Sequence, residues 1–375
     1  MKKTSTGARL VVAGSGDAAN MRYACGFQPV DPVLLLHTAR ERHLVVPVLE
    51  VGRAREEAKG TRVYTPEELG LPLYDRRSIA AWAVQLLKRA RVQRVRVAEQ
   101  FPLGVARALE ESGVQLEIAS AALYPERESK SKKEIEAIAV AQQAAAAAVR
   151  AAVADIRNAH IARSGELKLN RAVLSSERLR QTIDRTLLAH DCAARETIAA
   201  CGRHAADPHH RGEGPLRVSE TIVLDIFPQH RKTGYWGDIT RTVVKGPATP
   251  KQLLMYRAVL KAQAQARARI KPGVRADRIH KEVQDTLRAA GFRTEIVNGT
   301  PVGFFHGTGH SIGLDIHEAP SISLAPVRLR AGHVVTVEPG LYYPEDGGVR
   351  IEDTVAVTAR GARVLATCPY TFELK

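Results

Sequence analysis

The sequence predicts a mixed α/β protein, α+β in its second half, divided into two domains at residues 1–125 and 126–375. Three observations predict it. Short Val- and Leu-rich runs alternate with helical segments through the first third of the chain. A polar stretch containing Pro125 then breaks that rhythm and leads into a long alanine-rich segment. Beyond it, helices mix with apolar strands that carry unexpected acids. The 375 residues are enough for two or three domains of ordinary size.

In the first domain ARLVVAG, PVLLLHT, HLVVPVLEV and RVRVAE are apolar runs bounded by turn residues, and so read as strands. RRSIAAWAVQLLKRARV and PLGVARALEESG have helical spacing, the second stopping at Gly113. YPERESKSKKE reads as a linker. The segment from roughly 131 to 160 reads as one helix, because alanine is the best helix former and the flanking Ile, Val and charges keep a helical period. In the second domain TIVLDIF, GFFHGTGHSIG, HVVTVEPGLYY and GVRIEDTVAVT read as strands or strand ends. LMYRAVLKAQAQARARI and VRADRIHKEVQDTLRAAGF read as helices, the latter stopping at Gly291.

Charged residues at 25% and apolar residues at 45% are the balance of a soluble globular protein. No run of about 18 apolar residues exists, so a membrane span is not expected. The apolar core of MKKTSTGARLVVAGSGD is too short for a signal peptide, and a cytoplasmic location is expected. Cys25, Cys192, Cys201 and Cys368 form no CxxC pair and fit reduced thiols. The net charge of +15 raises nucleic acid as a partner, but the basic residues are spread along the chain and aromatics are only 5%. With no RRM, zinc-finger or helix-turn-helix pattern, nucleic-acid binding is not the expected role. GSGD, beginning at Gly14, lacks G-x-G-x-x-G and is not read as a nucleotide loop.

The chemistry lies in the acids and histidines of the second domain. Asp225 lies in TIVLDIF, Asp238 in GYWGDITRTVV, Glu338 in VVTVEPG and Glu352 in GVRIEDTVAV, each where an apolar strand residue is expected. Any one of them fits a strand edge, a turn, or an ion pair with Arg241 or Arg350. Four together would repel one another in a core and raise one another's pKa, so something positive must neutralise them. Divalent cations do that more completely than arginines. GFFHGTGHSIGLDIHE adds His306, His310 and His317 within one glycine-rich segment, and DPHHRGEG adds His209 and His210. The pattern is not an HExxH zinc helix. Four carboxylates and an imidazole suit Mn(II), Co(II), Fe(II) or Zn(II) at two centres. Two such ions about 3.5 Å apart share a water that loses a proton near neutral pH and attacks a bound carbonyl.

Taken in order, LDIF, GYWGDITRT, HGTGHSIGLDIHE, VEPG and VRIED resemble the pita-bread metallopeptidases, most closely the Xaa-Pro aminopeptidases and Xaa-Pro dipeptidases (prolidases). The resemblance is strong over roughly residues 130–375. The first 125 or so residues, with ANMRYACGF, more weakly resemble that family's small creatinase-like N-terminal domain. The resemblance implies a pita-bread catalytic domain, a homodimer, and hydrolysis of the bond before proline by a metal-bridging hydroxide. It implies two divalent ions, Mn(II) first among them. Asp225 would bind one metal, Asp238 and Glu352 would bridge, and His310 and Glu338 would bind the other. Glu338 would also act as general base and pass a proton to the leaving nitrogen. His317 would hydrogen-bond the scissile carbonyl or the tetrahedral intermediate, His306 would line the pocket beyond the scissile bond, and His209 would contact the peptide. Arg350, two residues from Glu352 and read as facing the same side of one strand, would orient a bridging carboxylate or bind a substrate carboxylate. The sequence departs from the family at Phe227, where a glycine is usual, and in the insertion-like QHRKT that follows Pro228.

Two other readings compete. Gly309-His310-Ser311-Ile312-Gly313 matches the G-x-S-x-G nucleophile elbow, with Asp315 and His317, or His333, as partners. The elbow needs a helix after the serine, and Pro320 blocks one. The other alternative is a non-catalytic peptide- or nucleic-acid-binding protein on the same fold, which fold alone does not exclude. Retention of every expected ligand argues against it.

Overall fold

The computed structural model describes residues 7–14, 18–120 and 122–375. Residues 15–17 of the GSGD stretch lie outside the described residues. The chain forms two compact units, Met1–Arg127 and Glu128–Lys375.

The first unit is built on a six-stranded sheet in the order Arg62–Tyr64, Arg42–Val45, Val33–His37, Ala8–Ala13, Arg94–Val97, Gln115–Ile118. Its three middle strands pair antiparallel and its outer ones parallel. Side chains alternate across a strand, so a strand covered on both faces must be apolar at successive positions. Leu10 and Val12 pack on Trp82, Leu86 and Leu87 of helix Ile79–Ala90 and on Leu109 of helix Leu103–Glu111. Val11 and Ala13 pack on the other side, with Met21, Cys25 and Phe27. Ser78 caps the longer helix by accepting a hydrogen bond from the Ala81 amide, and Arg91 ends it in the left-handed region.

The second unit opens with helix Lys132–Asn158, started by a reciprocal capping box between Ser131 and Glu134. By length and composition this helix could cross a membrane. Its buried stripe of Ile138, Ala141, Ala145, Ala148, Val149, Ala152 and Ile156 instead faces the unit's interior. That stripe and helix Ser176–Ala189 back a four-stranded sheet of Ile198–Cys201, Thr221–Ile226, Ile239–Lys245 and Glu373–Leu374. Helices Pro250–Arg269 and Ala276–Ala289 similarly back a five-stranded sheet, Glu318–Ile322, Gly309–Ser311, Val334–Val337, Asp353–Thr358 and Gly361–Val364, together with the hairpin Gly340–Tyr343/Gly347–Arg350.

The structure corrects several details. Helix Pro250–Arg269 begins four residues before the Leu254 predicted for it, because Thr249 and Gln252 form a capping box with proline at the first helical position. Of GFFHGTGHSIG only Gly309–Ser311 is strand. Among the four acids only Asp225 lies inside a strand. Asp238 immediately precedes Ile239–Lys245, Glu338 immediately follows Val334–Val337, and Glu352 lies between Gly347–Arg350 and Asp353–Thr358. Arg350 and Glu352 are therefore not alternate residues of one strand. The chain changes sheets there: the Glu352 amide bonds the Thr240 carbonyl at 3.0 Å, and the Ile351 amide reaches Pro339 at 3.4 Å.

Candidate active site

Alternation in strand Thr221–Ile226 sends Ile222, Leu224 and Ile226 into the helix-backed core and leaves Asp225 on the opposite face. There its Oδ2 accepts from Arg350 Nη2 at 2.7 Å, while Oδ1 is buried without a hydrogen-bond partner. Asp238 is placed through its backbone. Gln142 of the alanine-rich helix donates to its carbonyl and accepts from its amide, both at 2.7 Å, and Thr354 donates to the same carbonyl at 2.8 Å. Glu352 accepts from Thr240 Oγ1 at 2.8 Å through Oε2, and its Oε1 is a second buried atom without a partner. Glu338 accepts from Thr336 Oγ1 at 3.2 Å.

His310 completes the cluster. Its Nδ1–H donates to the Ser311 carbonyl at 3.1 Å, which leaves the Nε2 lone pair facing inward. Nε2 lies 3.6 Å from Asp238 Oδ2 and 3.4 Å from Glu338 Oε1. Ligand atoms of Asp238, His310 and Glu352 all lie within 4.8 Å of one another. Acceptor atoms thus face one another across a buried space, an arrangement a cation satisfies. Burial, and then the charges of Glu352, Asp225 and Glu338, hold the Asp238 carboxyl well above the usual range. Glu352 is raised likewise by burial and by Glu338 and Asp225. Burial and Asp225, opposed by Arg350, push Glu338 up to about 7. Without a cation the cluster is shifted toward its protonated forms; divalent charge reverses that preference. The orphaned oxygens of Asp225 and Glu352, with one imidazole and four carboxylates, fit hard to borderline divalent metals.

These groups line one cleft of about 680 Å³ together with Asp207, Pro208, His209, Phe227, Phe305, His306, His317, Ser321 and Arg350. All nine residues given metal, catalytic or substrate roles by the family resemblance line this cleft. His317 stands edge-on to His310, ring centroids 4.3 Å apart, and burial lowers its pKa so that the ring is neutral near pH 7. His306 uses both nitrogens, Nδ1 toward the Gly307 carbonyl at 2.7 Å and Nε2 toward Tyr342 Oη at 2.9 Å. Burial, then Arg350, pulls its pKa down to about 4. His209 is exposed in the cleft, whereas His210 turns away and stacks on His204 at 4.0 Å. His204, His210 and Glu213 lie close enough to hold a metal. His210 Nδ1, however, already accepts from the Gly212 amide at 3.0 Å.

Arg350 does not orient a bridging carboxylate as expected. Its nitrogens donate to Asp225, to Tyr342 Oη at 2.8 Å, to the Pro208 carbonyl at 3.3 Å and to Thr240 at 3.4 Å. Burial alone would lower its pKa, but Tyr342 and Asp225 overcome that and keep it charged. These bonds use four of its five N–H hydrogens and leave one on Nη1. Arg241, the other candidate partner for the four acids, instead pairs with Asp353 at 2.8 Å and donates to the Glu352 backbone carbonyl at 2.5 Å. Ser311 is fully buried, donating to the Val334 carbonyl and accepting from Lys130, so it is no nucleophile. The insertion at residues 229–233 pairs Gln229–His230 with Cys192–Ala193. Sequence reasoning missed Gln142, Thr240, Thr336 and Tyr342. Of these only Gln142 leaves a signal: an amide on the otherwise apolar face of a helix.

The model of metallopeptidase family M24 matches residues 136–359, and that of the creatinase/prolidase N-terminal domain matches residues 1–128. The chain is 30% identical over 349 residues to the Xaa-Pro dipeptidase of Pyrococcus furiosus, covering 92% of this chain and 90% of that one. It is 37% identical over 180 residues to the uncharacterized peptidase YqhT of Bacillus subtilis, 48% of each chain. Among solved structures, the prolidase of Pyrococcus horikoshii superposes with a TM-score of 0.81 at 26% identity, covering 98% of this chain and 95% of that one. The X-Pro aminopeptidase of Thermotoga maritima gives 0.81 at 23% identity over 98% of this chain and 97% of that one, a likeness of fold.

Proposed function

The chain belongs to metallopeptidase family M24, and we propose that it hydrolyses the peptide bond before proline with two divalent cations, Mn(II) first among them. The observation that carries this reading is the convergence of His310 Nε2 and four buried carboxylates, two with orphaned oxygens, in one cleft. Asp225, Asp238, His310, Glu338 and Glu352 would hold the ions. When bound, the ions supply charge that neutralises the carboxylates, acidifies water and polarises the scissile carbonyl. Glu338 accepts a proton from the attacking water and returns it to the proline nitrogen, which leaves as a secondary amine. His317, neutral at physiological pH, donates one N–H to the developing oxyanion. His306 and Phe305 wall the leaving-group side, and His209 meets the peptide at the cleft edge.

The names of the relatives in Pyrococcus support Xaa-Pro dipeptides as substrates. One observation favours a second reading, release of the first residue from longer Xaa-Pro peptides: four of the five Arg350 N–H hydrogens are already engaged, which leaves one for a terminal carboxylate. The test compares Ala-Pro, Ala-Pro-Ala and Ala-Ala with metal-stripped protein given Mn(II), Co(II) or Zn(II) in turn. Cleavage of either proline peptide but not Ala-Ala, abolished by chelation and untouched by a serine-directed acylating reagent, is expected. Equal cleavage of Ala-Ala, or activity surviving chelation, contradicts the reading.

A further inference from the structure

Among the described residues, no side-chain hydrogen bond orients the imidazole of His317. Besides its edge-on contact with His310, its position is set by the backbone of residues 312–317, which connects strand Gly309–Ser311 to strand Glu318–Ile322. One buried carboxylate shapes that connection. Glu318 Oε1 accepts from the amides of Leu314 at 2.9 Å and Asp315 at 3.1 Å. The backbone lies so close that a Cβ on Gly313 would sit 2.6 Å from the same oxygen. Glu318 Oε2 accepts from Lys130 Nζ at 3.0 Å, and the same ammonium donates to Ser311 Oγ at 2.9 Å. Ser311 and Glu318 are register partners, so Lys130 joins the two ends of the segment that presents His317. Lys130 is itself anchored, its amide bonding the Gly332 carbonyl at 2.8 Å.

The Lys130 side chain is 1% exposed and that of Glu318 8%. A buried ion pair is a poor source of stability, since desolvation offsets most of its attraction and apolar residues of similar volume do as well. What the pair does supply here is geometry. Trp236 fixes the other side of the turn, bonding the Gly313 and Leu314 carbonyls at 2.9 and 3.0 Å. The turn is thus pinned from both sides, with His317 at its end.

We propose that Lys130 and Glu318 are positioning residues for His317: the buried pair sets the height and angle of its imidazole over the cleft, and so acts on catalysis through that ring. The inference rests on the role given to His317 above. It is tested with Lys130→Met, Glu318→Gln, His317→Ala and the double variant Lys130→Met/His317→Ala, all metal-loaded to the same measured stoichiometry. Lys130→Met is expected to lower kcat about 10- to 100-fold, with KM within about threefold of wild type. The double variant should be no slower than His317→Ala alone within about twofold. A second readout needs neither metal nor turnover. In ¹⁵N-labelled metal-free protein, long-range imidazole resonances of His317, assigned by their loss in His317→Ala, should shift or broaden in Lys130→Met while those of His306 hold. If Lys130→Met does not fold, Glu318→Gln carries the same comparisons. Multiplicative losses in the double variant, a change confined to KM, or unmoved His317 resonances would overturn the proposal. A wild-type protein inactive on every proline peptide would overturn the proposed function instead, and the imidazole spectra would still decide the positioning.

Discussion

Glu338 shows how far single residues were legible. Its place in an apolar run exposed it as an unpaid charge, and the same logic found Asp225, Asp238 and Glu352. Gln142 was harder to see, because a buried glutamine in a helix has many possible partners and only the fold reveals that it holds the Asp238 backbone on both sides. Gln142→Ala leaves the Asp238 amide buried and unpaired. It should cost about 1–3 kcal/mol of stability, read by denaturant titration, and weaken metal uptake; unchanged stability and metal affinity would contradict its role. Glu338 makes a prediction with a definite sign. Its ordinary value is 4.5 and burial raises it to about 7 in the metal-free protein. A carboxyl raised on folding contributes stability that is present at low pH and lost as pH rises through that window. Metal-free Glu338→Gln should therefore match wild type near pH 4.5 and gain on it in melting temperature by pH 8, while its turnover falls at least about a thousandfold. A variant that loses stability relative to wild type with rising pH would contradict the shift.

At the scale of elements, what was legible followed from local chemistry. The helix Lys132–Asn158 was written in its alanines and in the Ile, Val and charge period around them, and the first-unit strands in their unbroken apolar runs; the Ser131/Glu134 box that starts the helix emerged with the structure. The strand breaks at Glu338 and Glu352 were not. VRIEDTVAV reads as one strand because its switch between sheets depends on the Thr240 carbonyl, more than a hundred residues away. The same limit hid Gly237. A Cβ there would lie 2.6 Å from the Ala141 carbonyl carbon and the Gln142 amide nitrogen, so helix and ligand loop meet backbone to backbone. Gly237→Ala should push Asp238 off its place, lowering the melting temperature by several degrees and metal stoichiometry with it. Full metal occupancy in that variant would show that the close approach does not position the ligand.

For the whole molecule, the order of motifs along the second unit carried more information than composition. The net charge of +15 suggested an acidic partner, but the chemistry of the cleft is that of carboxylates needing cations. The five proposed ligands come from separate segments of one unit, and the family match over residues 136–359 spans all five positions. The two units, Met1–Arg127 and Glu128–Lys375, each have cores of their own. The central claim is that Asp225, Asp238, His310, Glu338 and Glu352 form one cage for two cations. Anomalous diffraction from crystals equilibrated with Mn(II) tests it most directly. Two peaks about 3.5 Å apart, within bonding distance of those five side chains, are the predicted result; a cleft with no peak, or with ions held by other residues, would contradict it.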